Sequence, residues 1–161
     1  MDRATRQDVL NYLQAPDRVV AALASVNFDG SPRAATIYYF VDNDFNFYFL
    51  TAAHTQKYNN LTRNPDASIA IGFGPGYTCV QGEGTVELLE KGSQAEGLAI
   101  AHVKERMQTF AETTTWPIFQ LDDFLTESIA AFKFTPTSLE LLNLDKDQNL
   151  PITDETLLSV L

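Results

Sequence analysis

Residues 19–50 read VVAALASV, NFDG, SPRAATIYYFV, DND and FNFYFL in succession. The first block is an apolar run of strand length, the third is rich in β-branched and aromatic residues, and the last repeats that character after a second turn. Asp29-Gly30 between two such runs is a strong hairpin signal. Asp42-Asn43-Asp44 is rich in residues whose side chains fold back on their own backbone, which marks another reversal. Three consecutive antiparallel strands are therefore expected from this stretch.

Upstream, Val9, Leu10 and Leu13 fall at helical spacing until Pro16 stops the pattern, so residues 1–16 carry a short amphipathic helix expected to pack on a barrel edge. Downstream, residues 51–64 turn helical, with Tyr58 and Leu61 on one face and Asn64-Pro65-Asp66 as the stop. Residues 67–73 alternate as a strand, Gly74-Pro75-Gly76 turns, and residues 77–89 form a long strand in which Gly82 and Gly84 signal a bend or bulge. Leu98, Ala99, Val103 and Met107 define a helix over 92–108, with Ser93 placed to cap it. Residues 111–126 have no clean period and read as an irregular segment able to cover a ligand. Residues 129–135 and 138–144 supply two closing strands around Pro136, and the acidic stretch 145–161 reads as a loosely held tail. The fold class expected is mainly β and antiparallel, a small closed barrel with a few helices, because closure removes exposed strand edges.

Composition narrows the function. A chain of 161 residues, 45% hydrophobic and 20% charged, matches one globular domain over 1–161. Its 21 acidic and 11 basic residues leave a net charge of -10, unsuited to nucleic acid or anionic membrane, so any bound phosphate must be held by a local cluster. One cysteine, Cys79, and two histidines offer neither an internal disulfide nor zinc-type spacing. No apolar signal core or spanning segment is evident, and cytoplasm is the expected location.

The local cluster lies in Phe49-Leu50-Thr51-Ala52-Ala53-His54-Thr55-Gln56-Lys57. Two hydroxyls and an ammonium stand where a strand leads into a helix N-terminus, whose free N–H groups and dipole favour an anion. Taken alone, the same residues also read as a helix cap beside a solvated lysine. Their context is Gly30-Ser31-Pro32-Arg33-Ala34-Ala35-Thr36-Ile37 before them and Asn60-Leu61-Thr62-Arg63-Asn64-Pro65-Asp66-Ala67 after.

This ordered set, over about residues 18–90, resembles the pyridoxamine-phosphate-oxidase-like FMN-binding split barrels. In that family a Gly-x-Pro-Arg strand precedes a Thr…Ser/Thr-x-Lys turn and an Asn-Leu…Asn-Pro helix end. The resemblance implies a split β-barrel and a homodimer with FMN at the subunit interface. Arg33 stands where the family places an arginine near the FMN phosphate, and Ala34, Ala35 and Thr36 lie on the strand flanking the flavin ring. Thr51, Thr55 and Lys57 match the phosphate-binding turn, while Gln56 occupies a place where close relatives of the oxidase often carry arginine, which weakens the clamp. Gln81 is either a donor to the polar edge of the flavin or a solvent-facing strand residue, and Trp116 either meets a ring or anchors packing. His54 and His102 receive no role.

The function implied is a flavin-dependent oxidoreductase acting on a small molecule, with the redox chemistry carried by the cofactor. The alternative is a flavin- or haem-binding module that senses, carries or stores, and deazaflavin is a further cofactor option. True pyridoxamine phosphate oxidases carry a C-terminal arginine and histidine pair for the substrate phosphate. Here no histidine follows His102 and no arginine follows Arg106, so efficient oxidation of pyridoxamine phosphate is not expected.

Overall fold

The structure is a computed structural model that describes residues 6–72, 78–113, 128–143 and 157–159. Its elements are α1 (Arg6–Gln14), β1 (Val20–Val26), β2 (Pro32–Val41), β3 (Phe47–Ala52), α2 (Gln56–Arg63), β4 (Asp66–Ile71), β5 (Thr78–Leu88), α3 (Gln94–Thr113), β6 (Ile129–Asn143) and β7 (Leu157–Ser159). The strands run in the order β3-β2-β1-β4-β5-β6-β7, and a further β3–β6 pairing closes the first six into an antiparallel barrel. The expected mainly β barrel is what forms.

Alternation puts Ala21, Leu23 and Ser25 of β1 and Ile37, Tyr39 and Val41 of β2 inside. The interior is aromatic: Tyr39, Phe45, Phe47, Phe49, Phe132 and Phe134 are all fully buried, and Phe49 stacks on Phe132 at 5.5 Å. Burying a side chain of this size contributes about 1.5–3 kcal/mol, so this cluster dominates the stability of the barrel. Helix α1 adds Val9, Leu10 and Leu13 to the same core, and α2 adds Leu61 and the partly buried Tyr58. Tyr12 and Gln14 hydrogen-bond to the carbonyls of Thr78 and Val41, whereas Asn60 reaches the opposite end of β1, so the two helices sit at opposite ends of the barrel. Helix α3 lies outside, packing Ala99 and Val103 over Leu50, Ile129 and Ala131.

Strand β6 is continuous, where the sequence reading divided it at Pro136. On one edge it pairs with β5 along its length; on the other its first part pairs with β3 and its later part with β7. The register between β5 and β6 shifts at Glu83/Gly84, and Gly84 faces Pro136 across the shift. A bulge suspends regular ladder bonding, so a proline without an N–H can sit within a long strand. Gly82 and Gly84 thus mark a bulge, as expected.

Two other boundaries move. Strand β3 continues through Thr51 and Ala52, which pair with Ala130 and Ile129, so helical structure begins at Gln56 and not at 51. Helix α3 continues past 108 to Thr113, with the half-buried Phe110 and Ala111 carrying on the helical spacing of Val103 and Met107. The turn at 74–76 and positions 114–126 of the irregular segment, Trp116 among them, lie outside the described residues, as do 145–156 and 160–161 of the acidic C-terminal stretch, whose residues 157–159 pair with β6. No helix among the described residues is long and apolar enough to cross a membrane.

Candidate functional site

Thr55 makes the site's central hydrogen bonds. In extended conformation (φ -82°, ψ 154°) it caps α2, accepting from the Tyr58 N–H at 3.2 Å and donating to the Ala52 carbonyl at 2.8 Å. Its oxygen lies 3.0 Å from that of Thr51, and since its own proton goes to Ala52, Thr51 donates across that contact. A helix leaves its first N–H groups without internal acceptors; Thr55 takes that of Tyr58, and those of Gln56 and Lys57 emerge at the helix end.

Lys57 follows on the first turn. Its ammonium donates to the Thr36 carbonyl of β2 at 3.4 Å and forms no ion pair among the described residues. Burial pulls its pKa below the usual lysine value, because the charge is desolvated with no opposite charge to restore it. A partly buried cation without a carboxylate partner among the described residues, next to outward N–H groups, suits an anion, while the hydroxyl protons of Thr51 and Thr55 are already engaged within the turn.

On β2, Arg33 and Ala35 share the inward parity of Ile37 at the open strand end, while Ala34 and Thr36 take the outer face. Arg33 is exposed and registers with Ser25; Ala34 registers with Ala24 and Thr36 with Ala22. Ala34 and Gln81 line a groove of about 440 Å³ with Ala22, Ala24, Ala70 and Glu140. The Gln81 amide donates to Glu140 at 3.4 Å. The candidates thus form two groups, an anion-type cluster of Thr51, Thr55 and Lys57 joined to β2, and a groove of small side chains holding Ala34 and Gln81.

Gln56 belongs to neither group. Its amide donates to Asn60 Oδ1 at 2.9 Å, and Asn60, fully buried, donates to Ser25 Oγ at 3.2 Å and Asn27 Oδ1 at 2.9 Å. This link between α2 and the β1–β2 hairpin was not foreseen. Asn60-Leu61 was visible as a motif, but nothing local discloses that a helix asparagine has partners on a hairpin far back in the chain. His102 stacks on Phe40 at 4.4 Å, and His54 is exposed in the turn before α2. No metal-binding group of three or more His, Cys, Asp or Glu occurs among the described residues.

The family model described as pyridoxamine 5'-phosphate oxidase matches residues 10–136. No curated protein matches the chain. Among solved structures, it resembles a conserved hypothetical protein from Mycobacterium tuberculosis with a TM-score of 0.69 at 21% identity, covering 94% of this chain and 91% of that one. HutZ, a haem storage protein from Vibrio cholerae, superposes with a TM-score of 0.66 at 17% identity over 84% of this chain and 94% of its own. A pyridoxamine 5'-phosphate oxidase-related, FMN binding protein from Nostoc punctiforme gives 0.60 at 17% identity, with 91% and 89% covered. At such identities these structures establish a shared fold.

Proposed function

Since the chain belongs to the pyridoxamine 5'-phosphate oxidase family, we propose that it is an FMN-binding flavoprotein, an oxidoreductase acting on a small molecule, and a homodimer with the cofactor at the subunit interface. The observation that carries this reading is Lys57: a partly buried ammonium without a carboxylate partner among the described residues, at a helix N-terminus, in a chain of net charge -10. That setting fits the phosphate of FMN. Lys57 and the N–H groups of Gln56 and Lys57 would hold the phosphate, with Arg33 as a second cation, and Thr51 and Thr55 would join by turning their hydroxyls away from their present acceptors. Ala34, Ala35 and Thr36 leave room for a flat ring, and Gln81 would meet its polar edge.

FMN, when bound, supplies the electron-accepting centre at N5 of its ring. The protein's own part is to fix the phosphate, orient the ring and leave N5 accessible. No histidine follows His102 and no arginine follows Arg106 in the given sequence, so efficient oxidation of pyridoxamine phosphate is not expected.

A deazaflavin would present a similar tricycle and phosphate. The competing reading, a haem-binding store, draws on the fold shared with the Vibrio cholerae protein. It needs an axial ligand, for which His54, exposed in the turn before α2, and His102, whose ring stacks on Phe40 with its side chain 44% exposed, are the conventional candidates. The test is an absorbance titration with FMN. Wild type should take up FMN, and Lys57→Ala and Arg33→Ala should each weaken it roughly 10- to 100-fold, the value of a lost charge-assisted contact. No uptake by wild type, or a Soret band on adding haemin instead, overturns the flavin assignment.

A further inference from the structure

Resting on the FMN reading, we propose that Asn60 is a positioning residue that sets the protein's preference for the phosphorylated flavin. The two cations of the phosphate site belong to separate segments: Lys57 to the first turn of α2, Arg33 to the start of β2 beyond the hairpin. An anion held by both needs those segments at a fixed spacing, because charge-assisted bonds lose value steeply as their geometry is lost.

Asn60 supplies that spacing. Its amide reaches Ser25 Oγ and Asn27 Oδ1, and Ser25 is the residue registered with Arg33. Asn27 in turn ties the hairpin together, donating to Ser31 Oγ at 3.1 Å while its N–H meets the Ser31 carbonyl at 2.9 Å. On the helix side, Gln56 occupies the remaining acceptor of Asn60. The relay runs from the residue before Lys57 to the residue opposite Arg33 through one fully buried side chain.

The other polar ties between these segments are weaker candidates. Lys57 to the Thr36 carbonyl is long, at 3.4 Å, and uses the ammonium that an anion would claim. Arg63 to the Val26 carbonyl, also 3.4 Å, is exposed at the far end of α2. Among the described residues, Asn60 alone is buried, short-range to both sides, and independent of the ligand.

The experiment compares FMN with riboflavin, which has the same ring and no phosphate, by flavin-fluorescence titration of wild type, Asn60→Leu and Asn27→Ala. Both substitutions are neutral, so neither repels an anion. Asn60→Leu should weaken FMN about tenfold and leave riboflavin unchanged, and Asn27→Ala should move the same ratio by about threefold. Equal losses for both flavins, or no loss, would overturn the positioning role while leaving FMN binding intact. A wild type that shows no preference for FMN over riboflavin would instead remove the phosphate site, and this inference with it. If circular dichroism shows that Asn60→Leu is unfolded, Asn27→Ala on the exposed hairpin decides by the same ratio.

Discussion

Arg106 on α3 donates to four carbonyls at the end of α1 and just beyond: Leu13 at 3.4 Å, Gln14 at 2.6 Å, Ala15 at 3.0 Å and Arg18 at 2.8 Å. A cation at a helix C-terminus satisfies carbonyls that have no internal partner and opposes the negative end of the dipole. Burial lowers its pKa, which is the desolvation cost of placing a guanidinium between two helices. Hydrogen bonds from charged donors contribute about 1.5–3 kcal/mol, so Arg106→Ala should destabilise the fold by roughly 2–4 kcal/mol in urea unfolding. A loss within about 0.5 kcal/mol, the size of an ordinary surface change, would show that water replaces these contacts freely. Legibility at this scale depended on chain separation. Thr51, Thr55 and Lys57 were visible because a cap and its helix are neighbours in sequence. The roles of Arg106 and Asn60 were not, although Asn60 stood in a recognisable motif, because nothing local discloses that a polar side chain has its partners in remote segments. Gln56 was placed in the phosphate turn, yet its amide is held by Asn60 one helical turn on, a choice that spacing does not disclose.

At the scale of elements, the β5–β6 pair concentrates the geometric demands of the barrel. A Cβ on Gly84 would run into the Thr135 carbonyl oxygen and approach Pro136 Cα to 2.7 Å, so the two backbones can meet at the bulge only through glycine. Gly84→Ala should cost about 1–3 kcal/mol by overpacking, read as a lower unfolding midpoint with unchanged slope. An unchanged midpoint would mean that the bulge can shift its register. Glycines at 82 and 84 announced this feature in the sequence; the continuity of β6 was hidden because Pro136 normally argues against a strand interior, and only its partner across the bulge removes the objection. Strand β3 ran past its expected end for a related reason: Thr51 lacks apolar character, yet it is buried at the strand end, where its hydroxyl has Thr55 as a partner.

At the scale of the whole molecule, one closed barrel carries an anion-type cluster at the α2 end and a groove of small side chains on its outer face. Barrel class was legible because alternation and turn chemistry are local. The completeness of the site was not, since the dimer-shared site we propose would be written in surfaces that a single chain's periodicity does not describe. In our proposal the outer face meets a second copy and the flavin lies where the two meet, so ligand and dimer belong to one species. The most direct measurement is sedimentation velocity of the purified protein with FMN, followed at the flavin's visible absorbance. The account predicts that flavin absorbance sediments with a species of twice the 17.9 kDa chain mass. Flavin left at the meniscus with free FMN, or a boundary at the mass of a single chain, would contradict it.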